Sequence, residues 1–133
     1  VLVGSTTSLT TLGSGGITLQ AVRDVNLKVN DGGNNASTNT IQGAGNLDIT
    51  AGGSIVQTDG NTVSAGGANV GLAYGANLSS SIGFTSAGAM TVTQTTGDLI
   101  ATPFAAQSLQ FQSLGGNVVF AGGSTFGTAP VTV

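Results

Sequence analysis

Hydrophobic residues recur along this chain as short couples, two positions apart, with a polar or small residue between them. Residues 45–55, GNLDITAGGSI, show the unit: Leu47 and Ile49 form the couple, a small-residue corner follows, and Ile55 comes next. Alternation with a period of two predicts a short β-strand that buries one face. The unit therefore predicts a strand, a corner and the start of another strand.

The same unit returns in altered form through most of the sequence. Its main couples begin at residues 17, 47, 70, 90 and 118, which are 30, 23, 20 and 28 residues apart, and further couples lie at Ile82/Phe84 and Leu109/Phe111. One unit cannot bury its apolar face alone, but stacked units can. We therefore expect an all-β fold, a parallel β-helix (β-solenoid) of about five or six coils with roughly 20 residues per coil and insertions.

The corners and the loops of this solenoid can also be placed. Glycine pairs occur at residues 15–16, 52–53, 66–67, 115–116 and 122–123, where we expect glycine to supply the positive φ of tight corners. Residues 31–40, DGGNNASTNT, contain one apolar residue and predict a protruding loop. We expect residues 1–133 to form a single solenoid domain that is a segment of a longer repetitive chain.

The composition excludes several classes of function. Charged residues make up 5% of the chain. They are two basic residues, Arg23 and Lys28, and five aspartates. This balance argues against binding to nucleic acid or to an anionic membrane. No apolar run approaches the roughly 18 residues of a membrane helix, so we expect no membrane insertion. The polar surface must instead consist of Thr, Ser, Asn and Gln, which suits a repetitive β-structure.

Catalytic chemistry has few candidate residues. Histidine and cysteine are absent, which removes the commonest general base, nucleophiles and metal ligands. The remaining acid–base candidates are Asp24, Asp31, Asp48, Asp59 and Asp98. A glycosidase needs carboxylates gathered on one face. Asp48 lies between two inward residues and should point outward, while Asp31, Asp59 and Asp98 lie in sequences typical of turns. We therefore expect no catalytic, metal-binding or cofactor-binding residue, no cofactor and no enzymatic activity.

Three weaker patterns indicate other kinds of site. Five aromatic residues could form a platform for a sugar, although filling the interior is the alternative: Tyr74, Phe104, Phe111, Phe120 and Phe126. Thr91, Thr93 and Thr95, with Ser79 to Ser81, suggest an ice-binding array, but no threonine motif repeats at constant spacing. Asn35 and Asn77 each begin an N-x-S glycosylation sequence.

Three stretches resemble a known family of repeats. GNLDITAGGSI (45–55), GAMTVTQTTGDLI (88–100) and GGNVVFAGGSTF (115–126) resemble the degenerate repeats of the filamentous haemagglutinin type, found in large bacterial surface and secreted exoproteins. The resemblance extends from about residue 17 to residue 126. It implies a right-handed β-solenoid that forms a stalk or fibre outside the bacterial cell, often as part of an adhesin.

The expected function is accordingly structural. We expect an extracellular stalk, fibre or adhesin repeat segment that either continues in the same chain or self-associates through its solenoid ends, since open strand edges invite pairing. A host or surface glycan is a candidate partner. The alternatives are a carbohydrate-binding or carbohydrate-cleaving β-helix and, third, an ice-binding solenoid.

Overall fold

The structure is a computed structural model that describes residues 8–11, 13–27, 39–57 and 63–133. These residues form short strands and corners and contain no helix, hence none long and apolar enough to span a membrane. The strands are β1 (Ser8–Thr10), β2 (Ile17–Ala21), β3 (Val25–Asn26), β4 (Asn39–Gln42), β5 (Leu47–Ala51), β6 (Ile55–Val56), β7 (Val63–Gly67), β8 (Val70–Tyr74), β9 (Ile82–Ser86), β10 (Ala89–Gln94), β11 (Leu99–Ala101), β12 (Ser108–Ser113), β13 (Val118–Phe120) and β14 (Val131–Thr132).

All strand pairs among the described residues are parallel, and they build three walls. The first wall is the sheet β1-β4-β7-β9, and the second wall is the sheet β2-β5-β8-β10-β12-β14. The third wall consists of two separate sheets, β3-β6 and β11-β13. The chain visits the walls in turn and then begins the next level, so the predicted parallel β-solenoid is confirmed.

The second wall shows the period of the coil. Leu47, Val70, Met90, Leu109 and Val131 are successive partners in register. The differences between their numbers are 23, 20, 19 and 22, which gives four turns with a mean of 21 residues. An earlier and longer turn of 30 residues joins Ile17 to its partner Leu47, and part of it lies outside the described residues.

The last interval predicted from the sequence, from residue 90 to residue 118, is wrong. Met90 pairs with Leu109, and Val118 instead pairs with Leu99 in the third wall. The couple Ile82/Phe84 belongs to the first wall, where Phe84 pairs with Ala65. The physical reason is that strands of all three walls alternate with the same period, so the pattern does not reveal which wall a couple occupies.

The interior holds the inward members of the couples. Ile49 is 1% exposed and lies between Leu19 and Leu72 in the register, while its neighbour Thr50 is exposed. Full burial of an aliphatic side chain contributes about 1.5–3 kcal/mol. Because the buried residues form one continuous cluster from Ile17 to Phe111, this contribution recurs at every level of the stack.

The glycine pairs at the corners act through close packing rather than through positive φ. Among the described glycines, only Gly13, Gly97, Gly123 and Gly127 have positive φ, so the expectation for the pairs holds at Gly123 alone. A Cβ at Gly52 would clash with the carbonyl of Val22, one turn away. The amide of Gly52 also donates a hydrogen bond to Ala21 O at 3.0 Å. Stacked corners therefore approach too closely for a side chain.

The predicted loop at residues 31–40 lies mostly outside the described residues. Its last two residues belong to β4 rather than to a loop, because Thr40 pairs with Ser8 on one side and with Ser64 on the other. Strand pairing on both sides explains why this polar stretch ends as a strand.

Removal of an interior side chain should lower the free energy of unfolding more than removal of an outward side chain. We expect Ile49→Ala to lower the free energy of unfolding by about 2–5 kcal/mol, because the cavity would lie between two neighbouring turns. The adjacent Thr50→Ala should change it by less than about 0.5 kcal/mol. Urea denaturation followed by circular dichroism measures both values, and equal losses would contradict the assignment of inward and outward faces.

The corner glycines can be tested in the same way. We expect Gly52→Ala to cost about 1–3 kcal/mol, because the new methyl group would meet the Val22 carbonyl and force the two turns apart. Gly83→Ala is the matched control: a Cβ there would lie 3.6 Å from the nearest atom, Val63 O, an ordinary contact. A Gly52→Ala protein as stable as the Gly83→Ala protein would disprove close packing at this corner.

Candidate functional site

The described aspartates do not form a common site. Asp48 is exposed on the outer side of β5, and Asp24 and Asp98 each precede a strand of the third wall, in different turns. Asp31 and Asp59 lie outside the described residues. The part of the chain that the structure describes also contains no group of three or more His, Cys, Asp or Glu side chains that could hold a metal ion.

Asp24 and Asp98 connect neighbouring turns. Asp24 Oδ1 accepts a hydrogen bond from the backbone amide of Ser54 at 2.8 Å. Asp98 Oδ1 accepts one from the amide of Asn117 at 2.8 Å and one from its Nδ2 at 3.3 Å. Asp98 follows a bend of the chain, as its sequence predicts, but its carboxylate binds the next turn rather than its own. Because successive corners stack directly, these carboxylates reach backbone amides of the next turn.

The outer face of the second wall lacks a regular threonine array. Thr91 has Gly71 and Gln110 as its neighbours in register, and Thr93 has Ala73 and Gln112. Ice-binding solenoids need a flat, repeated arrangement, so this face offers no basis for that alternative. Asn77 is exposed, and Asn35 lies outside the described residues.

The phenylalanines form one network at the later turns of the solenoid. Phe84 contacts Phe104 with ring centroids 6.2 Å apart, and Phe104 contacts Phe111 at 6.5 Å. Phe111 in turn contacts Phe120 at 6.3 Å and Phe126 at 5.9 Å. Phe84 and Phe111 are buried, whereas Phe120 is 46% exposed. The network therefore fills the interior at Phe84 and Phe111, is half-buried at Phe104 and Phe126, and reaches the surface at Phe120.

A gap in the third wall is the site of a cleft that reaches inward residues. Leu78 forms an isolated bridge with Ile55 below it, but among the described residues no strand pairing joins Leu78 to β11 in the turn above. A cleft of about 490 Å³ lies at this level. Its rim includes Asn77, Ser80 and Asp98, which are exposed. Small-molecule sites in proteins usually measure roughly 300–1,000 Å³, so this cleft has the size of a ligand site.

Two inward residues with polar groups line the cleft. Tyr74 and Gln94 are partners in register on the second wall and are 2% and 6% exposed. Gln94 Nε2 donates a hydrogen bond to Thr96 O at 2.7 Å, but the Tyr74 hydroxyl has no hydrogen-bond partner among the described residues. Burial raises the pKa of Tyr74 to about 12, so its hydroxyl stays protonated as a donor.

Sequence reasoning identified Tyr74 and Asp98 but missed Gln94 and the cleft. The alternation Met90, Val92 extends by one step to Gln94, so the same period that predicts the strand also places an amide inside. The hydrophobic pattern does not predict the gap, because the gap depends on how successive turns pair. Comparisons of the chain with protein-family models, with curated proteins and with solved structures give no match.

The raised pKa of Tyr74 predicts a loss of stability in alkali. Tyrosine titrates near 10.0 when exposed, as in the unfolded chain, and near 12 in the folded protein. Between these values the unfolded state binds fewer protons, so the free energy of unfolding should fall by up to about 1.4 kcal/mol per pH unit above pH 10. Below pH 10 the Tyr74 hydroxyl is protonated in both the folded and the unfolded state, so it should not make the free energy of unfolding depend on pH.

Urea denaturation at several pH values between about 9 and 11.5 measures this loss, and Tyr74→Phe is the control for all other groups that titrate there. The chain contains one tyrosine, so its absorbance reports the ionisation directly. An identical pH dependence in both proteins would contradict the burial of this hydroxyl.

Proposed function

We propose that this chain is a structural β-solenoid segment of a bacterial surface or secreted protein, where it serves as a stalk, fibre or adhesin repeat. The observation that carries the proposal is the continuous register of the second wall, in which six strands stack through successive turns. Such a stack makes an elongated, rigid body whose length grows by a fixed step for each repeat. The resemblance to filamentous haemagglutinin-type repeats supports the same role and an extracellular location.

The outer side of the second wall fits this role because it is almost uncharged. Thr18, Asp48, Gly71, Thr91 and Gln110 succeed one another along the outer side of the second wall. A single charge in this column avoids the repulsion that like charges on adjacent strands would cause. The surface therefore suits long stacks of turns, as a stalk requires.

The proposal includes no catalytic step. A carbohydrate-cleaving solenoid would need two carboxylates on opposite sides of one sugar bond, about 5–10 Å apart. The described aspartates lie in different turns, and Asp24 and Asp98 already accept hydrogen bonds from the backbone of neighbouring turns. Their geometry suits a structural role.

We further infer that the end of the stack near β13 and β14 associates with another copy or with further turns of the same chain. Among the described residues, each of these strands has a partner on one side only. Phe120 and Phe126 lie at this end with ring centroids 5.6 Å apart, and Phe120 is 46% exposed. An unpaired strand edge beside exposed aromatic rings favours association.

A charge placed at this end should prevent the association. We expect the chain to form filaments or larger oligomers at high concentration, seen by electron microscopy and sedimentation velocity, and we expect Phe120→Asp to shift it to monomers. Val22→Asp is the matched control, because Val22 is 94% exposed at a corner of an earlier turn. Wild-type protein that stays monomeric, or equal effects of the two substitutions, would refute association of separate copies through this end.

A further inference from the structure

The cleft in the third wall differs from the rest of the solenoid because no strand pair closes the wall there. Elsewhere in the described turns, the buried side chains are apolar. Between Leu78 and β11 the strands do not pair, and the cleft reaches inward residues such as Phe84 and Gln94. A solenoid that served only as a spacer would gain stability if this gap were closed by another strand pair.

The inner part of the cleft carries polar groups that the fold leaves incompletely paired. The Tyr74 hydroxyl lacks a partner among the described residues although Tyr74 is 2% exposed. Gln94 uses its Nε2 for Thr96 O, which leaves Oε1 as an acceptor. A buried polar group without a hydrogen bond costs about 1–3 kcal/mol, so such groups usually meet water or a ligand.

The remainder of the lining determines the class of ligand. Phe84 and Phe104, whose rings meet edge to face, supply apolar walls. Asn77 and Ser80 supply donors and acceptors at the rim. Asp98 adds a carboxylate oxygen, Oδ2, that has no partner among the described residues, since Asn117 binds Oδ1. Flat apolar faces together with many hydroxyl groups are the surface of a neutral sugar.

Other ligand classes fit the lining less well. An anion would need a cation or a cluster of free amides, and the cleft is lined by no Arg or Lys. A divalent cation would need several oxygen ligands with more charge than the single carboxylate of Asp98 provides. A purely apolar ligand would leave Tyr74 and Gln94 unpaired.

We propose that the cleft between the turns of Leu78 and Leu99 is a binding site for a neutral saccharide, with Tyr74 and Gln94 contacting its hydroxyl groups from the inside and Asp98 from the rim. The half-buried Phe104 packs against an apolar face of the sugar ring, and the buried Phe84 supports Phe104 from the inside. This role goes beyond the proposed structural one and does not depend on it, because binding requires neither a filament nor a surface location.

Titration of the full chain with a panel of neutral sugars tests the proposal. The panel contains maltose, cellobiose, lactose and diacetylchitobiose, each followed by isothermal titration calorimetry and by NMR up to about 10 mM. We expect at least one of them to bind. Tyr74→Phe removes a single hydroxyl group and should weaken that binding about 3- to 10-fold, the effect of one hydrogen bond.

A second variant keeps the test valid if Tyr74→Phe fails to fold. Ser80→Trp places a large side chain on an exposed position at the rim, where it should fill the cleft and weaken binding more than about 10-fold. Gln110→Trp, on the exposed face of the second wall and outside the lining, is the matched control and should bind normally. No binding of any sugar, or binding unchanged by either cleft variant, would overturn the proposal.

Discussion

Wherever strands of successive turns pair, one turn must lie one strand spacing above the other, about 4.8 Å away. This constraint places each inward residue directly between its counterparts, as Leu47 lies between Ile17 and Val70. It also couples the walls, because a side chain too large at one level would separate the strands of all three. The core is therefore built from columns of apolar side chains whose sizes must complement those of their neighbours in the column, as the small Ala65 lies beside the large Phe84.

The same spacing explains both the corners and the low charge. At the corners, backbone meets backbone, which leaves no room for a Cβ at Gly45 or at Gly52. A Cβ built on Gly45 would lie only 2.5 Å from Ser14 O. Where side chains do occur there, they bind the next turn, as Asn69 Oδ1 accepts a hydrogen bond from the amide of Ala89 at 3.0 Å. On the walls, like charges on adjacent strands would repel each other, and Asp48 has the uncharged Thr18 and Gly71 beside it.

The period of the couples was sufficient to predict the fold, since alternation and recurrence follow from burial inside a stack. It was insufficient to assign Val118 to the third wall, because all walls share that period. The role of the glycine pairs was also misjudged, because close approach depends on the neighbouring turn and not on the local sequence. Of the candidate site, Gln94 follows from the alternation. The cleft does not, since it depends on which strands of successive turns pair in the third wall.

The gap at Leu78 is tolerable because of how a solenoid is stabilised. Each turn contacts only its neighbours, so an opening at one level does not propagate along the stack. Around the cleft, the second wall continues unbroken through β8 and β10, and Tyr74 and Gln94 are held there by their register. Polar groups inside a core are normally costly, yet here the rigid wall keeps them in place whether or not they are paired. Such preorganisation reduces the entropic cost of binding, which is why a local defect in a repetitive scaffold is a favourable place for a ligand site.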